Sequence, residues 1–569
     1  MKALGIRYGG HDSAASLSID GNIIAASSQE RYDHQKHSRA FPIDAIHDCL
    51  KTAGLQMNDL DEIAFANDSI YHINEFYLKT ALKDPERLKF LIDDIERIKL
   101  NYDMEEITRK HTGYKGPVKF YRHHLCHLAS AYYPSGFDEA LLVSLDGMGE
   151  METGMYAKGK NGDIDIIHQD TQYPHSMGLL YSAITFYLGW KHHCDEGIIM
   201  GLASYGNPHA TIPHQTQTYY EVFSEIIQED GDFGYIINED WIAYHQVRNK
   251  WVSDKFYEVF GPKRNYEDEI TQHHKDIAAA LQLRLETIVL KHLKNLRDAY
   301  GIDKLCIAGG VGLNCSMNGA IERSGIFDEI FVQPASGDDG STLGACLLAT
   351  QSAGITLKPK KNHNYYLGST FSDQEIEEAV KASGLTYHKY DDVFEATASI
   401  LEEGQIIAWF QGRPEFGPRA LGNRSILTKP YPASMKDYIN AKVKFREEFR
   451  PFAPAVLKEH CSDYFDIKQE SPHMLIACHV QPDKKEVIPA VVHTDDTCRV
   501  QTVGEDNNYR FRKLLEAFYK KTNVPVLLNT SFNVKGQPIV NTPEEAINCF
   551  KSTAIESLVV GDYILSKAP

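Results

Sequence analysis

Ala140-Leu141-Leu142-Val143-Ser144-Leu145-Asp146-Gly147-Met148-Gly149-Glu150 is the stretch whose reading decides the fold. Its first six residues form an apolar run of strand length. Asp146 to Glu150 is then an acidic, glycine-rich turn, and the chain runs out again from Thr153 to Ala157 towards a Gly159/Gly162 hairpin. The same pattern stands at the start of the chain. Leu4-Gly5-Ile6-Arg7 reads as a short strand, Gly9-Gly10-His11-Asp12 as a polar turn and Ala14 to Ile19 as an alternating strand. Asp20-Gly21 then turns the chain into a third strand, Ile23 to Ala26. Two strand–acidic-turn–strand units predict a duplicated half-domain with both turns facing one cleft.

That layout is the one found in nucleotide-binding folds of the actin, Hsp70 and sugar-kinase type. Further along, Asp276 to Arg297 predicts a long amphipathic helix ending before Gly301. A buried strand, Leu305-Cys306-Ile307-Ala308, leads into Gly309-Gly310-Val311-Gly312-Leu313-Asn314 at the head of a helix. A glycine-rich turn there lets backbone approach a ligand closely. It lacks the G-x-G-x-x-G spacing, so no dinucleotide site follows. Residues 208–274 are polar, aromatic and aperiodic, and read as an insertion. Leu357-Lys358-Pro359-Lys360-Lys361-Asn362 reads as a linker, and Ser372-Asp373-Gln374-Glu375 as a capping box opening a helix. The expected organisation is α/β, with one domain over residues 1–360 and a second over 361–569.

A chain of 569 residues, 43% hydrophobic and 24% charged, is globular in composition. Its net charge of −19 speaks against a nucleic-acid partner, which requires a basic field. The ten cysteines include no C-x-x-C pair, so neither a disulfide framework nor a zinc ribbon is expected. The first residues read as a strand and not as a signal peptide. No apolar run approaches the roughly 20 residues of a membrane span. The expected location is the cytoplasm.

Two clusters carry chemistry. His123 and His127 lie four apart on a predicted helix running to Tyr133, so both imidazoles fall on one face. Asp146 ends a buried strand and Asp338, in Gly337-Asp338-Asp339-Gly340, follows another. Two histidines and two aspartates suit iron, manganese or zinc, and affinity order alone does not choose among them. His192-His193-Cys194 competes for this role and reads instead as a substrate loop. The second cluster is basic. From Gln411 to Arg450 there are nine Lys or Arg against four Asp or Glu, in an otherwise acidic chain. Arg419 and Arg424, within Gly417-Pro418-Arg419-Ala420-Leu421-Gly422-Asn423-Arg424-Ser425, present guanidinium forks suited to phosphate. Lys444, Arg450, Arg499 and the Asn529-Thr530-Ser531-Phe532-Asn533 loop add donors.

Taken in order, His11-Asp12-Ser13-Ala14, His123-x-x-x-His127 with Asp146 to Glu150, Met200-Gly201-Leu202-Ala203, Gly309 to Asn314, Gly417 to Gly422 and Asn529 to Asn533 resemble the NodU/CmcH/TobZ O-carbamoyltransferases. The resemblance covers nearly the whole chain. It implies an actin-like (ASKHA), Kae1-like N-terminal domain and a C-terminal α+β YrdC-like domain. It also implies that carbamoyl phosphate and Mg-ATP yield carbamoyl-adenylate in the second domain. Transfer to a hydroxyl of a small natural product would follow in the first, with a cationic acceptor suggested by the net charge. By position, His123, His127, Asp146 and Asp338 would hold iron(II), and His11 would be the general base. Lys36, Gly309, Gly310 and Gly312 would meet the adenylate. Arg419, Lys444, Arg450, Arg499, Asn529 and Ser531 would bind carbamoyl phosphate and ATP. Two positions depart from the pattern: Ile198 stands where the family often has lysine, and Gln537 replaces a frequent glutamate. An enzyme of tRNA threonylcarbamoylation and an actin-like ATPase module are the alternatives. The acidic charge disfavours the first, and the second leaves both clusters unexplained.

Overall fold

The computed structural model describes residues 1–567 apart from Asp84 and Asp170. Five strands, β1 (Lys2–Arg7), β2 (Ala14–Ile19), β3 (Asn22–Ser28), β4 (Glu62–Phe65) and β5 (Val118–Phe120), form a sheet in the order β3-β2-β1-β4-β5. Helix α1 (His123–Ser135) leads into a second set, β6 (Glu139–Leu145), β7 (Gly154–Lys160), β8 (Asp163–His168), β9 (Lys304–Ala308) and β10 (Glu329–Val332). These pair in the order β8-β7-β6-β9-β10. In each sheet the first three strands are antiparallel and the last two join in parallel. The duplication extends to the turns. Asp20-Gly21 and Asn161-Gly162, joining the second and third strands of each set, all have positive φ, as a two-residue type I′ hairpin requires. This repeated arrangement is the actin-like one expected from the sequence. The second hairpin turns at Asn161-Gly162 alone; Gly159 lies within β7, where a side chain would strike the Tyr132 ring.

Between the two sheets run α1 and α4 (Asp338–Ser352), the latter preceded in the chain by α2 (Glu196–Ala203) and α3 (Gln272–Tyr300). Helix α4 presses on β1, where a Cβ on Gly5 would sit 2.1 Å from the Thr342 carbonyl oxygen. It also crosses α1 at Gly344, where a Cβ would sit 1.8 Å from the Cys126 carbonyl oxygen. Small residues let the helices approach backbone to backbone. The apolar cluster around them accordingly includes many small side chains, among them Ala129, Cys126, Ala345, Cys346, Ala349, Cys306 and Ala308, with larger ones such as Leu128, Tyr132 and Phe137 beside them.

Residues 208–274, expected to be aperiodic, are folded. They form the helices Tyr219–Ile226 and Asp254–Phe260 and the hairpin Ile227–Asp230 with Gly234–Ile237. Phe223, Trp241, Phe256 and Phe260 belong to the same apolar cluster as β6 and α3. The helical signal is present but short: Tyr219, Val222, Phe223 and Ile226 are buried at helical spacing after a Thr218/Glu221 capping box, and Phe256 and Phe260 lie four apart, in helices of about two turns set among polar loops. The expected linker is also docked. Lys360 N–H donates to Tyr133 O at 2.8 Å and Asn362 N–H to Pro134 O at 2.9 Å, while Tyr365 and Leu367 pack with Ala26, Ala335 and Leu343.

The C-terminal part is α+β. An eight-stranded mixed sheet runs Thr386–Lys389, Tyr563–Ser566, Ser557–Val560, Ile407–Phe410, Arg424–Thr428, Val526–Ser531, Ala453–Leu457, Gln501–Val503. A small sheet of Phe465–Asp466, Ala477–Val480 and Thr497–Arg499 stands beside it and meets the N-terminal part. There Asn318 Nδ2 donates to Leu475 O and Arg323 Nη1 to Ala477 O, each at 2.9 Å. No helix among the described residues is long and apolar enough to cross a membrane.

Because the α1–α4 crossing admits no side chain at residue 344, Gly344→Ala is expected to destabilise the fold by about 1–3 kcal/mol, as overpacking does. Thermal unfolding checks this, and an unchanged melting temperature would show that the two helices separate freely.

Candidate active site

The acidic turn after β6 does two jobs. Asp146 points its carboxylate at α1, and Glu150 accepts the N–H groups of His123 (2.8 Å) and Asp68 (2.7 Å). A carboxylate there meets unpaired amides and the positive end of the helix dipole, so Glu150 supplies the cap that Arg122 does not. Arg122 in turn pairs with Glu152 at 2.6 Å and Glu150 at 3.6 Å. The first turn of α1 is thereby fixed over Asp146.

His123 Nε2 lies 3.0 Å from His127 Nε2, 3.1 Å from Asp146 Oδ2 and 3.4 Å from Asp338 Oδ1. His127 Nε2 lies 3.4 Å from Asp146 Oδ2 and 3.8 Å from Asp338 Oδ1. All four residues are buried. Each ligand but His127 is held from behind. Ala66 O stands 3.1 Å from His123 Nδ1, Gly310 N–H donates to Asp146 Oδ1 at 3.0 Å, and Arg7 grips Asp338 Oδ2 at 2.7 and 3.0 Å. A backbone carbonyl at Nδ1 places that ring's proton there and leaves the Nε2 lone pair facing inward. Burial alone would keep His123 neutral, but Asp338 and Asp146 outweigh it and push its pKa up to about 10. The site therefore calls for positive charge. Ligands about 2.1 Å from one ion stand roughly 3.0–3.4 Å apart at octahedral or tetrahedral angles; four of the five separations fall in that range, and His127 to Asp338, at 3.8 Å, is somewhat wider. The four residues fit a divalent ion with a mixed N/O donor set. His124, between them, bonds Ser144 Oγ and Glu152 O and is not a ligand.

The basic residues of the C-terminal part converge as well. Arg419 is drawn down to about 9 by burial and by Arg499 and Arg450. Arg446 is lowered by burial and by Arg450, and Lys444 by burial and by Arg446 and Arg450. Among the described residues the one ion pair these five cations make is Arg450 with Glu447, at 3.6 Å. Arg419 Nε and Arg499 Nε are buried without a partner. Four half-buried guanidiniums with almost no counter-ion, two of them with an unpartnered buried Nε, mark an anion site. Its loop abuts the metal-ligand corner. Gly417, at φ 116°, lies so close to the N-terminal part that a Cβ would stand 2.9 Å from Pro334 O, four residues before Asp338.

The carbamoyltransferase N-terminus family matches residues 2–347 and the carbamoyltransferase C-terminus family residues 398–567. This chain belongs to the carbamoyltransferase family. It is 38% identical to nodulation protein NolNO of Sinorhizobium fredii, over 98% of this chain and 79% of that protein. It is 38% identical to nodulation protein NolO of Bradyrhizobium diazoefficiens, over 79% of each, and 27% identical to nodulation protein U of Rhizobium tropici, over 96% and 93%. Component A of (R)-2-hydroxyglutaryl-CoA dehydratase from Acidaminococcus fermentans is 15% identical with a TM-score of 0.32, covering 62% of this chain and 99% of that one.

The other sequence-derived candidates of this carbamoyltransferase fall into distinct settings. His11 follows β1, whose last residue, Arg7, holds Asp338; its Nδ1 lies 3.0 Å from Asp12 Oδ2. Lys36 is exposed and lies where its charge reaches Lys444 across the two parts. The glycines of the 309–312 turn are first of all required by the protein itself. A Cβ on Gly309, at φ 86°, would meet Leu145 O at 2.2 Å, one on Gly310 Asp146 Oδ1 at 2.9 Å, and one on Gly312 Ser336 Oγ at 2.5 Å. The helix opens at Cys315, after a 3₁₀ turn, and not at the glycines. Lys444 commits its ammonium to Ser531 and to Asn533, whose Oδ1 lies at 2.8 Å, so it orders that loop. Asn529 ties Ala420 O (3.2 Å) to Gln501 (2.9 Å) and so holds the segment next to Arg419. Ile198 is buried in an apolar cluster and makes no charged contact possible at that family lysine position. Gln537 has a backbone role, its carbonyl accepting from Asn533 Nδ2 at 2.8 Å.

Arg424 is not a phosphate ligand. It is fully buried, stacks 3.5 Å over Phe410, and gives its terminal nitrogens to the carbonyls of Gln411 (2.6 Å), Asn423 (3.0 Å) and Gly412 (3.1 Å). Its position opening a central strand turns it into the sheet, which spacing from Arg419 does not reveal. Arg446 and Glu415 were not singled out in the sequence. The first joins the cation cluster, within a segment whose excess of basic residues was the available signal. The second shapes the loop by accepting the N–H groups of Leu421, Asn423 and Arg424 at 2.8, 2.8 and 3.1 Å.

Dialysed protein reloaded with ferrous ion is expected to bind one equivalent tightly, and His127→Ala or Asp338→Asn to lose it; elemental analysis after gel filtration checks the stoichiometry. Arg424→Met is expected to lower the melting temperature while leaving inorganic phosphate binding unchanged, whereas Arg419→Ala weakens that binding about tenfold or more. Calorimetric titration with phosphate separates the two.

Proposed function

We propose that the protein is an ATP-dependent O-carbamoyltransferase that makes carbamoyl-adenylate from carbamoyl phosphate and Mg-ATP and passes its carbamoyl group to a hydroxyl of a small molecule. The observation that carries this is the cluster of Arg419, Lys444, Arg446, Arg450 and Arg499, almost without counter-ions and set against the corner that bears Asp338. Two polyanionic substrates require such a field. Carbamoyl phosphate and water give carbamate and phosphate; a carbamate oxygen then attacks the α-phosphorus of ATP, and the bond to pyrophosphate breaks. Arginines around the phosphates orient this in-line exchange and offset the charge that develops.

In the N-terminal part His11, its Nδ1–H held by Asp12, presents Nε2 to take the proton of the acceptor hydroxyl. The hydroxyl oxygen bonds to the carbamoyl carbon as the bond to AMP breaks. A divalent ion held by His123, His127, Asp146 and Asp338 would supply Lewis acidity there, and iron(II) is the identity the family resemblance implies. The docked linker and the close contact at Gly417 support passage of the labile anhydride between the two parts without exposure to bulk water. Lys36 is placed to accompany its phosphate. His192 packs against Phe186, His193 and Trp251, with the charges of Lys191, Arg39 and Lys263 acting on it, so this loop offers an acceptor aromatic surface beside positive charge. The expected setting is the cytoplasm.

Incubation with carbamoyl phosphate and ATP is expected to release pyrophosphate, and Arg446→Ala to slow this about tenfold or more. No pyrophosphate from the wild-type protein would refute the adenylation step. His127→Ala is expected to keep pyrophosphate release and to abolish carbamoyl transfer, read by mass spectrometry across a panel of hydroxylated metabolites. Equal loss of both activities would make the residue structural.

A further inference from the structure

Asp12 bonds two histidines. Its Oδ2 lies 3.0 Å from His11 Nδ1 and its Oδ1 2.6 Å from His37 Nδ1. Three residues around this carboxylate hold non-glycine backbone in the left-handed region: Asp12 (φ 60°), His37 (φ 55°) and His193 (φ 56°). Such conformations cost energy and persist only where surrounding contacts enforce them. Those contacts are present. His37 N–H donates to Glu30 Oε2 at 2.9 Å and Ser13 N–H to Ser38 O at 3.0 Å, so the 34–40 loop is laced to the turn that carries His11. Cys194 lies near enough to His37 to act on its charge, and the neighbouring His193 ring stacks on His11 at 5.6 Å. The loop read from the sequence as substrate-binding thus closes on both histidines.

We propose that His37 is a positioning residue for the base: as an imidazolium on one oxygen of Asp12, it offsets the carboxylate charge, so that the other oxygen fixes the His11 Nδ1–H tautomer while Nε2 stays unprotonated. The proposal rests on the assignment of His11 as the base. A carboxylate on the Nδ1–H of an imidazole fixes its tautomer and raises the basicity of Nε2; facing that imidazole alone, its full charge also shifts the protonation equilibrium towards the imidazolium, which cannot accept a proton. Shared between two, it is neutralised by the one that holds the proton more strongly. His37 is that one. Burial opposes its charge, yet the bond to Asp12 and the contact with Cys194 push it up to about 11. His11 is raised as well, by Asp12 and Asp338 against burial and Arg7. The charged or titratable neighbours are Asp338 and Arg7 on the metal-ligand side of His11, and His193, lowered to about 3 by burial and by His11, on the loop side. Asp339 faces Asp12 from α4.

The test uses diethyl pyrocarbonate, which modifies only unprotonated imidazole, with peptide mapping of His11 and His37 between pH 5 and 9. Both side chains are about one-third exposed, 35% and 32%, so the reagent reaches them. In the wild-type protein His11 is expected to react with a midpoint well below that of His37, which resists modification across the range. In His37→Gln the His11 midpoint moves up by about one pH unit, a tenfold slower reaction at a given acidic pH. In His37→Arg, which keeps the cation, it stays in place. An unmoved midpoint in His37→Gln, or equal midpoints for the two histidines in the wild-type protein, would overturn the proposal; the second result needs no variant. Pyrophosphate release measured on the same preparations requires neither histidine, so failure of the adenylation reading is seen separately from failure of this one.

Discussion

The contact between α1 and α4 is the constraint on which the rest depends. One helix brings His123 and His127, the other begins with Asp338, and they meet backbone to backbone at Cys126 and Gly344. Neither helix can shift without moving a sheet, because α4 is pressed on β1 at Gly5 and α1 lies on β6 and β9. Ligands drawn from two halves of a duplicated fold are thereby held at separations suited to one ion. A buried quartet of two imidazoles and two carboxylates would be costly without a cation among them. The small residues at the crossing give the protein a rigid frame against which that electrostatic demand is set.

From this frame the chemistry spreads outward through single residues with two contacts each. Arg7 ends β1 and holds Asp338, and the turn that follows it carries His11 and Asp12. Glu150 ends the turn of Asp146 and caps the helix of His123. Gly417 rests on the Pro334 carbonyl at the corner leading to Asp338 and precedes Arg419 in the anion site. Each link joins a position that binds to a position that shapes. The two halves of the proposed reaction, adenylation and transfer, are therefore mechanically continuous.

Much of the first domain was legible because its elements are local. Strand, acidic turn and strand recur within short windows, and Asp20-Gly21 has the residue types that positive φ at both turn positions selects. The i, i+4 spacing of His123 and His127 is likewise a property of one helix. Asp146 could be singled out as a charged residue just after an apolar strand, and Asp338 as one at a glycine-flanked strand-to-helix corner. What failed were readings of short elements and inferences from residue type without a neighbour. Residues 208–274 appeared irregular because their helices are only about two turns long, so the helical spacing of Tyr219, Val222, Phe223 and Ile226 is soon interrupted by polar loops. Arg424 has the same flanking glycine as Arg419 but is turned into the sheet over Phe410.

By itself the sequence determined the duplicated strands, the ligand types and the basic character of the segment from Gln411 to Arg450, since each depends on residues close in the chain. Tertiary structure alone decided which of those residues act together. It gathered Arg446 with Arg419, Arg450 and Arg499, withdrew Arg424, and brought His37 and the Cys194 loop to the carboxylate that holds His11. The physical reason is that charge, unlike strand or helix propensity, takes its meaning from partners distant in sequence. A guanidinium among carbonyls is structural, whereas one among other guanidiniums awaits an anion.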